Sequence, residues 1–368
     1  MRRLFIFWGV VVRLAELRIN DFRIIEEAEI SLSPRWNVFV GANGAGKTSV
    51  LEAAFLLSHG RSFRRGLRDT LSRMGSAGFS IFGRIQRAGV NEHRLGLMRV
   101  GGKLESRCDT QSVGIADLVQ RCAVICFEPG SHELISGVAE ERRRYLDWGV
   151  FHVEHAFLSQ WRRYQRALRQ RNACLREGGS DAYLEPWEVE MISTGQTIAG
   201  YRDEYVGRLR PVLLELLEKF LGELGCAEIS LDQGWKEGQS LADALAENRQ
   251  RDRERGHTAR GPHRADWSIA FERAPKREHL SRGQEKLCAI ALILAQARLF
   301  ASETGEWPVL CLDDLASELD PDHQADVLSE LVSGGAQVLL TGTELPQVID
   351  PSMNEVRVFH VEQGRISS

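Results

Sequence analysis

Gly41-Ala-Asn-Gly-Ala-Gly-Lys-Thr48 meets the pattern G-x-x-x-x-G-K-[ST] at every fixed position, and its flanks supply the setting that pattern needs. Before it, Asn37-Val-Phe-Val40 is a short apolar run suited to a buried parallel strand. After it, Thr48-Ser-Val-Leu-Glu-Ala-Ala-Phe-Leu-Leu57 combines helix formers with apolar residues at helical spacing. The expected order is strand, loop, helix. Gly41, Gly44 and Gly46 let the backbone take positive φ, so that the loop, with Ala42, Asn43 and Ala45, can turn its N–H groups inward around a polyphosphate. Lys47 is expected on the β- and γ-phosphates of ATP and the Thr48 hydroxyl on Mg²⁺. The alternative is a glycine-rich turn that binds nothing.

A second half of such a site lies near the other end. Trp307-Pro-Val-Leu-Cys-Leu312 reads as a buried strand that delivers Asp313 and Asp314 at its C-terminal end, where open α/β sheets bind ligands. Asp313 is the expected Mg²⁺-side carboxylate. Asp314 is the candidate for positioning the attacking water, with Glu318 as a weaker second. An Asp pair ending a strand also serves as a turn or helix cap. Upstream, Ser281-Arg-Gly-Gln284 opens a helix reaching Leu299, with Leu287, Ile290, Ala291, Leu294 and Ala297 as its apolar stripe. Ser281 is a good N-cap, and a capped N-terminus attracts anions through its N–H groups and dipole. Motifs this far apart require the two ends to fold together, as in ABC-type and SMC-type ATPase heads.

The resemblance narrows further. Asp313-Asp-Leu-Ala-Ser-Glu-Leu-Asp320, Ser281-Arg-Gly-Gln284 followed by Leu294-Ala-Gln296, Gly60-Arg-Ser-Phe-Arg64, Gly261-Pro-His-Arg264 and Glu141-Arg-Arg-Arg-Tyr-Leu-Asp147 together resemble the RecF family of SMC-like, ABC-type ATPases. The likeness runs from about residue 13. It implies an α/β fold: an ABC-type head with a mixed sheet and P-loop, plus a second, mostly helical lobe. It also implies an ATP-dependent homodimer in which Ser281, Gly283, Gln284 and Asp320 act on nucleotide across the interface. The implied function is recombinational repair and replication, within the SOS response, on gapped or single-strand/double-strand junction DNA. RecR and RecO are the implied partners, and RecA the protein to be loaded. Asp314 stands where many ABC-type ATPases carry a longer Glu, so slow, DNA-stimulated hydrolysis is expected. Cys126-Phe-Glu-Pro-Gly-Ser-His-Glu-Leu134 departs from the family pattern, and its acidic residues are not carried over.

Composition fits a cytoplasmic enzyme: 368 residues, 43% hydrophobic, with no run approaching the roughly 20 apolar residues of a membrane span. Seven cysteines without a C-x-x-C pair argue against zinc and disulfides. A net charge of −4 does not advertise nucleic acid, so the distribution matters more. Arg61, Arg64, Arg65 and Arg68 would share one face if their segment is helical, and are the candidate DNA contacts. Arg162, Arg166 and Arg169 repeat the spacing, with Trp161 and Tyr164 interleaved; a solvated face is the alternative for both groups. Arg249-Gln-Arg-Asp-Arg-Glu-Arg255 alternates in sign and reads as a solvated loop.

Four segments are expected: 1–12 as an extension or mis-assigned start, 13–109 as the first part of the ATPase lobe, 110–255 as a mostly helical lobe, and 256–368 as the rest of the ATPase lobe. Helices are read over Phe151–Arg176 and Trp187–Leu224. No heptad register persists, which argues against an arm-bearing SMC protein. A transporter's nucleotide-binding subunit would carry a His soon after the strand that follows Asp313; this chain has Thr341-Gly-Thr-Glu344 there.

Overall fold

Trp36–Val40 is the strand ahead of the glycine-rich loop, and every residue in it is buried. It lies inside a six-stranded sheet in the order Arg365–Ser367, Val356–Glu362, Trp36–Val40, Val338–Gly342, Val309–Leu312 and Val124–Phe127. All neighbours are parallel except the terminal hairpin. Parallel strands covered on both faces read as continuous apolar runs, which is why Val309–Leu312 and Val338–Gly342 carry no alternation. The computed structural model describes residues 12–64, 71–87, 90–350 and 355–368. The reading of residues 1–12 as an extension lies outside that range except at Val12, which already belongs to the strand Val12–Phe22, and the readings for Arg65 and Arg68 lie outside it too.

A second six-stranded sheet is antiparallel, in the order Ile25–Ser31, Val12–Phe22, Phe79–Arg87, Val90–Val100, Lys103–Cys108 and Gln111–Ser112. The helix Lys47–His59 packs against strands of both sheets, and Val50, Leu51, Ala53, Ala54, Leu56 and Leu57 join the core. A helix enclosed this way is apolar on most sides.

The chain divides into two compact units, Met1–Ser131 with Phe300–Ser368, and His132–Leu299. Both boundaries differ from the expected 109/110 and 255/256. Val124–Phe127 pairs in parallel with Val309–Leu312 and so belongs with the nucleotide-side sheet. Asp266–Phe271 pairs instead with Ala227–Asp232, keeping residues after 255 in the helical unit.

That helical unit differs from expectation in three places. Ala139–Val153 and Phe157–Arg176 are separate helices, and a 41-residue helix runs Asp181–Leu221, through Pro186 and Pro211. Arg249–Arg255 is helical, within Leu241–Arg255, and not a loop. Its alternating charges are taken up by packing: Arg249 pairs with Glu188, Arg253 with Asp181, and fully buried Asp252 with Arg171. Arg282–Thr304 is long and apolar enough to pass a length-and-hydropathy test for a membrane span, which the sequence reading missed; 72% of the tested window is buried within the protein.

Several family-like segments prove to be internal fasteners. Arg142 forms a fork with Asp266 at 2.6 and 2.8 Å, and Arg202 another with Asp147 at 2.9 and 3.0 Å. Gln296 donates to the Tyr145 carbonyl, and the Tyr145 hydroxyl to that of Leu292. His263 lies between the Tyr164 hydroxyl, 2.7 Å from Nδ1, and the Thr258 carbonyl, 3.1 Å from Nε2.

Burial pushes His263 down to a pKa of about 4 and His152 to about 3, from an ordinary 6.5. The unfolded chain therefore takes up these protons near pH 6.5 while the folded chain resists. Their stabilising effect is complete above pH 6.5 and is lost as pH falls toward 4. Each residue should contribute a slope of about 1.4 kcal/mol per pH unit within that window. Urea midpoints measured at pH 7 and pH 5 should fall accordingly; midpoints that do not move would contradict the desolvation of these two half-buried rings.

Candidate nucleotide site

The glycine-rich loop takes the expected positive φ at Gly44 and Gly46 but not at Gly41, whose glycine is needed for close approach instead. Gly44 has φ of 81° and Gly46 of 113°. At Gly46, which begins the helix Lys47–His59, a Cβ would also press on the Ile24 side chain. At Gly41 a Cβ would fall 2.2 Å from the Val361 carbonyl oxygen, so only glycine fits against the neighbouring strand. Lys47 is buried; its Nζ donates to the carbonyls of Gly41 at 2.7 Å and Ala42 at 3.0 Å. Those bonds hold the ammonium inside the loop it is expected to serve.

Residues remote in sequence meet here. Thr48 Oγ1 donates to Asp313 Oδ1 at 2.8 Å, and Thr341 Oγ1 donates to the same oxygen at 2.8 Å. The Asp314 N–H in turn donates to Thr341 Oγ1 at 2.9 Å. Parallel register explains the meeting: Leu312 pairs with Leu340, and Thr341 with Phe39, so all three strands end at the same edge. Burial pushes the Asp313 carboxyl up from its usual range, against the opposing pull of the two hydroxyls and the Arg64 charge. Thr48 and Asp313 form a hard oxygen donor pair of the kind Mg²⁺ prefers, so the residues present fit that ion.

Asp314 has φ of 51°, a left-handed conformation uncommon for a non-glycine residue. It lines a cavity of about 650 Å³ together with Asn43, Gly44, Lys47, Thr48 and Thr341. Glu318 ends the short helix Leu315–Glu318 and is not among the lining residues. Asp320 caps the following helix Pro321–Gly334: its carboxylate accepts the His323 N–H at 3.1 Å and lies 2.6 Å from His323 Nδ1.

Thr341 and Arg23 belong to this site and were not singled out from sequence. Arg23 lines the same cavity and forks onto Glu52, a fully buried carboxylate on the helix Lys47–His59, at 3.0 and 2.6 Å. The Ser62 hydroxyl also donates to Glu52. Arg64 joins the rim of the cavity, 3.9 Å from Glu52. Of the four arginines expected on one helical face, Arg61 and Arg64 lie in non-helical chain: Gly60 ends the preceding helix at φ 63°, and residues 61–64 are bends and irregular backbone.

In the helical unit, Ser281 and Gln284 form a reciprocal capping box. The Ser281 N–H donates to Gln284 Oε1 at 2.9 Å, and the Gln284 N–H to Ser281 Oγ at 3.3 Å. Ser281, Arg282 and Gly283 are exposed. The helix behind them, Arg282–Thr304, supplies a fixed N-terminal dipole.

Known proteins resemble this chain in sequence and fold. The family model described as RecF/RecN/SMC N terminal domain matches residues 13–367. A "DNA replication and repair protein RecF" of Stenotrophomonas maltophilia is 45% identical over 361 residues, covering 96% of this chain and 99% of that protein. A solved structure of the recombination mediator protein RecF with ATP, in the RecFOR pathway, superposes with a TM-score of 0.86 at 25% identity, over 100% of this chain and 99% of that one. An Smc head domain from Pyrococcus furiosus shares the fold, with a TM-score of 0.57 at 14% identity over 97% and 96% of the two chains.

Proposed function

Because the chain belongs to the RecF family and has its SMC-like, ABC-type ATPase head fold, we propose that it is a cytoplasmic ATP-dependent DNA-binding protein of recombinational repair and replication. The observation that carries this reading is the 2.8 Å bond from Thr48 to Asp313, residues 265 positions apart. It joins the two halves of a phosphate site at one edge of the sheet.

The chemistry follows from the side chains. Lys47, held at the floor of the loop, would reach the β- and γ-phosphates, and Thr48 and Asp313 would hold Mg²⁺. When bound, that ion neutralises charge on the same phosphates. Asp314, fixed through Thr341, orients the attacking water and accepts its proton; Glu318 is the weaker alternative because it does not line the cavity. The short Asp side chain makes turnover slow. Ser281, Gly283, Gln284 and Asp320 of a second copy complete the site around the γ-phosphate, so that ATP drives homodimerisation. The preferred DNA is gapped or carries a single-strand/double-strand junction. RecO and RecR are the partners, and RecA the protein loaded.

Arg61, Arg65 and Arg68 are proposed as DNA contacts, whereas Arg64 serves the nucleotide because its side chain lines the cavity. Arg61→Glu combined with Arg65→Glu should lower the slope of log affinity against log salt on gapped DNA by about 2, at about 0.9 for each phosphate no longer neutralised. An unchanged slope would return these residues to ordinary solvated surface. The repair assignment itself predicts that gapped DNA stimulates ATP hydrolysis, and hydrolysis indifferent to DNA would count against it.

A further inference from the structure

The helix Phe157–Arg176 carries Arg162, Arg163, Arg166, Arg169, Arg171 and Arg176 and no Asp or Glu. Two of these arginines are used internally. Arg163 forks onto Glu190 at 2.7 and 3.0 Å. Fully buried Arg171 bonds to Glu188, Asp252 and Thr258. Arg162, Arg166 and Arg169 are exposed and make no ion pair among the described residues. Like charges three and four residues apart on a helix repel one another, so this stripe opposes helix stability unless an anion lies along it.

We propose that Arg162, Arg166 and Arg169 form a second DNA-binding surface, on the helical unit, that holds the phosphate backbone of duplex DNA. The inference rests on the DNA-binding reading above and extends it to a different part of the chain. Its first support is spacing: from Arg162 to Arg169 the helix rises about 10 Å, the axial length of about three phosphates on one strand.

The second support is what the interleaved aromatics do. Tyr164 is fully buried and bonded to His263. Trp161 stacks between Phe157 and Tyr164, at 6.3 and 5.9 Å, with the Arg202 guanidinium 5.4 Å from its ring centroid. Both rings are committed to the fold, so the face offers charge without a stacking platform. Single-stranded DNA is held largely by bases stacked on aromatics, whereas a row of guanidinium groups alone suits backbone phosphates and reads no sequence. The surface therefore fits a duplex.

The test uses the full chain, with ATP, on two unrelated duplexes. The variant combining Arg162→Gln, Arg166→Gln and Arg169→Gln should lower the slope of log affinity against log salt by about 2 to 3, equally on both sequences, at about 0.9 per phosphate. ATP binding should be unaffected. Replacing the same three residues by Lys should preserve the parental slope, because pairing with a phosphate depends on charge. Glutamine and parental lines that run parallel would overturn the proposal, as would equal losses in the lysine and glutamine variants. If the parent binds duplex with no salt dependence, the DNA-binding reading itself fails, which is a different result from a parent that binds and a variant that matches it.

Discussion

Replacing Lys47 by arginine should reduce ATP hydrolysis by roughly 10²-fold or more, the usual effect of losing one preorganised charge-stabilising donor. The side chain occupies a narrow place: Nζ bonds to two carbonyls of its own loop, and only 7% of the residue is exposed. An ammonium is a compact point charge with three donors, whereas a guanidinium is a planar fork with five. The fork cannot satisfy both carbonyls in that space and still reach a phosphate. Loss of ATP-dependent dimerisation should accompany the loss of turnover, since in the proposed dimer the nucleotide would form part of the interface. Phosphate release and nucleotide affinity, measured together, check this; a variant with parental values in both would remove Lys47 from the site.

Ser281→Arg should separate binding from assembly. The residue belongs to the helical unit and to none of the surfaces lining the nucleotide cavity, so ATP affinity should stay at the parental value. Dimerisation should be abolished, because a long charged side chain then projects from an exposed loop that, in the proposed dimer, would face a second copy. Losing the serine cap costs about 1 kcal/mol of helix stability, too little to unfold a helix as buried as Arg282–Thr304. Ser281→Ala provides the control: it loses the same cap without adding bulk, and should dimerise better than the arginine variant. If both variants fail alike, the capping box and not the surface is what dimerisation requires.

The parts of the site written in local spacing were legible in the sequence. The strand, the glycine-rich loop and the helix through Leu57 were readable because loop geometry and helix periodicity are decided within a dozen residues. Asp313 was readable because it ends an apolar run. Thr341 was hidden: a threonine at the end of a buried strand looks like any β-branched residue, and only the register of Val338–Gly342 against two neighbours brings it to Asp313. Glu52 was read simply as a residue of an apolar helix, although it is fully buried and anchors Arg23.

The misreadings have a common cause. Arg61 and Arg64 had helical spacing, but Gly60 had already turned the chain out of the helix. Arg249–Arg255 looked solvated because the sequence could not show Glu188, Asp181 and Arg171 waiting on other helices. The unit boundaries moved for the same reason, since strand partners far along the chain decided which unit each segment joined. Periodicity describes one segment, whereas charge pairing and sheet membership depend on two.

The central claim is that the nucleotide site is completed only by a second copy of the chain. Sedimentation velocity with Mg²⁺, with and without ATP, and with and without gapped DNA tests it most directly. The expected result is a monomer without nucleotide, a dimer with ATP, a tighter dimer when gapped DNA is added, and a monomer under all conditions for Ser281→Arg. A parent that saturates with ATP and remains monomeric on gapped DNA would contradict it.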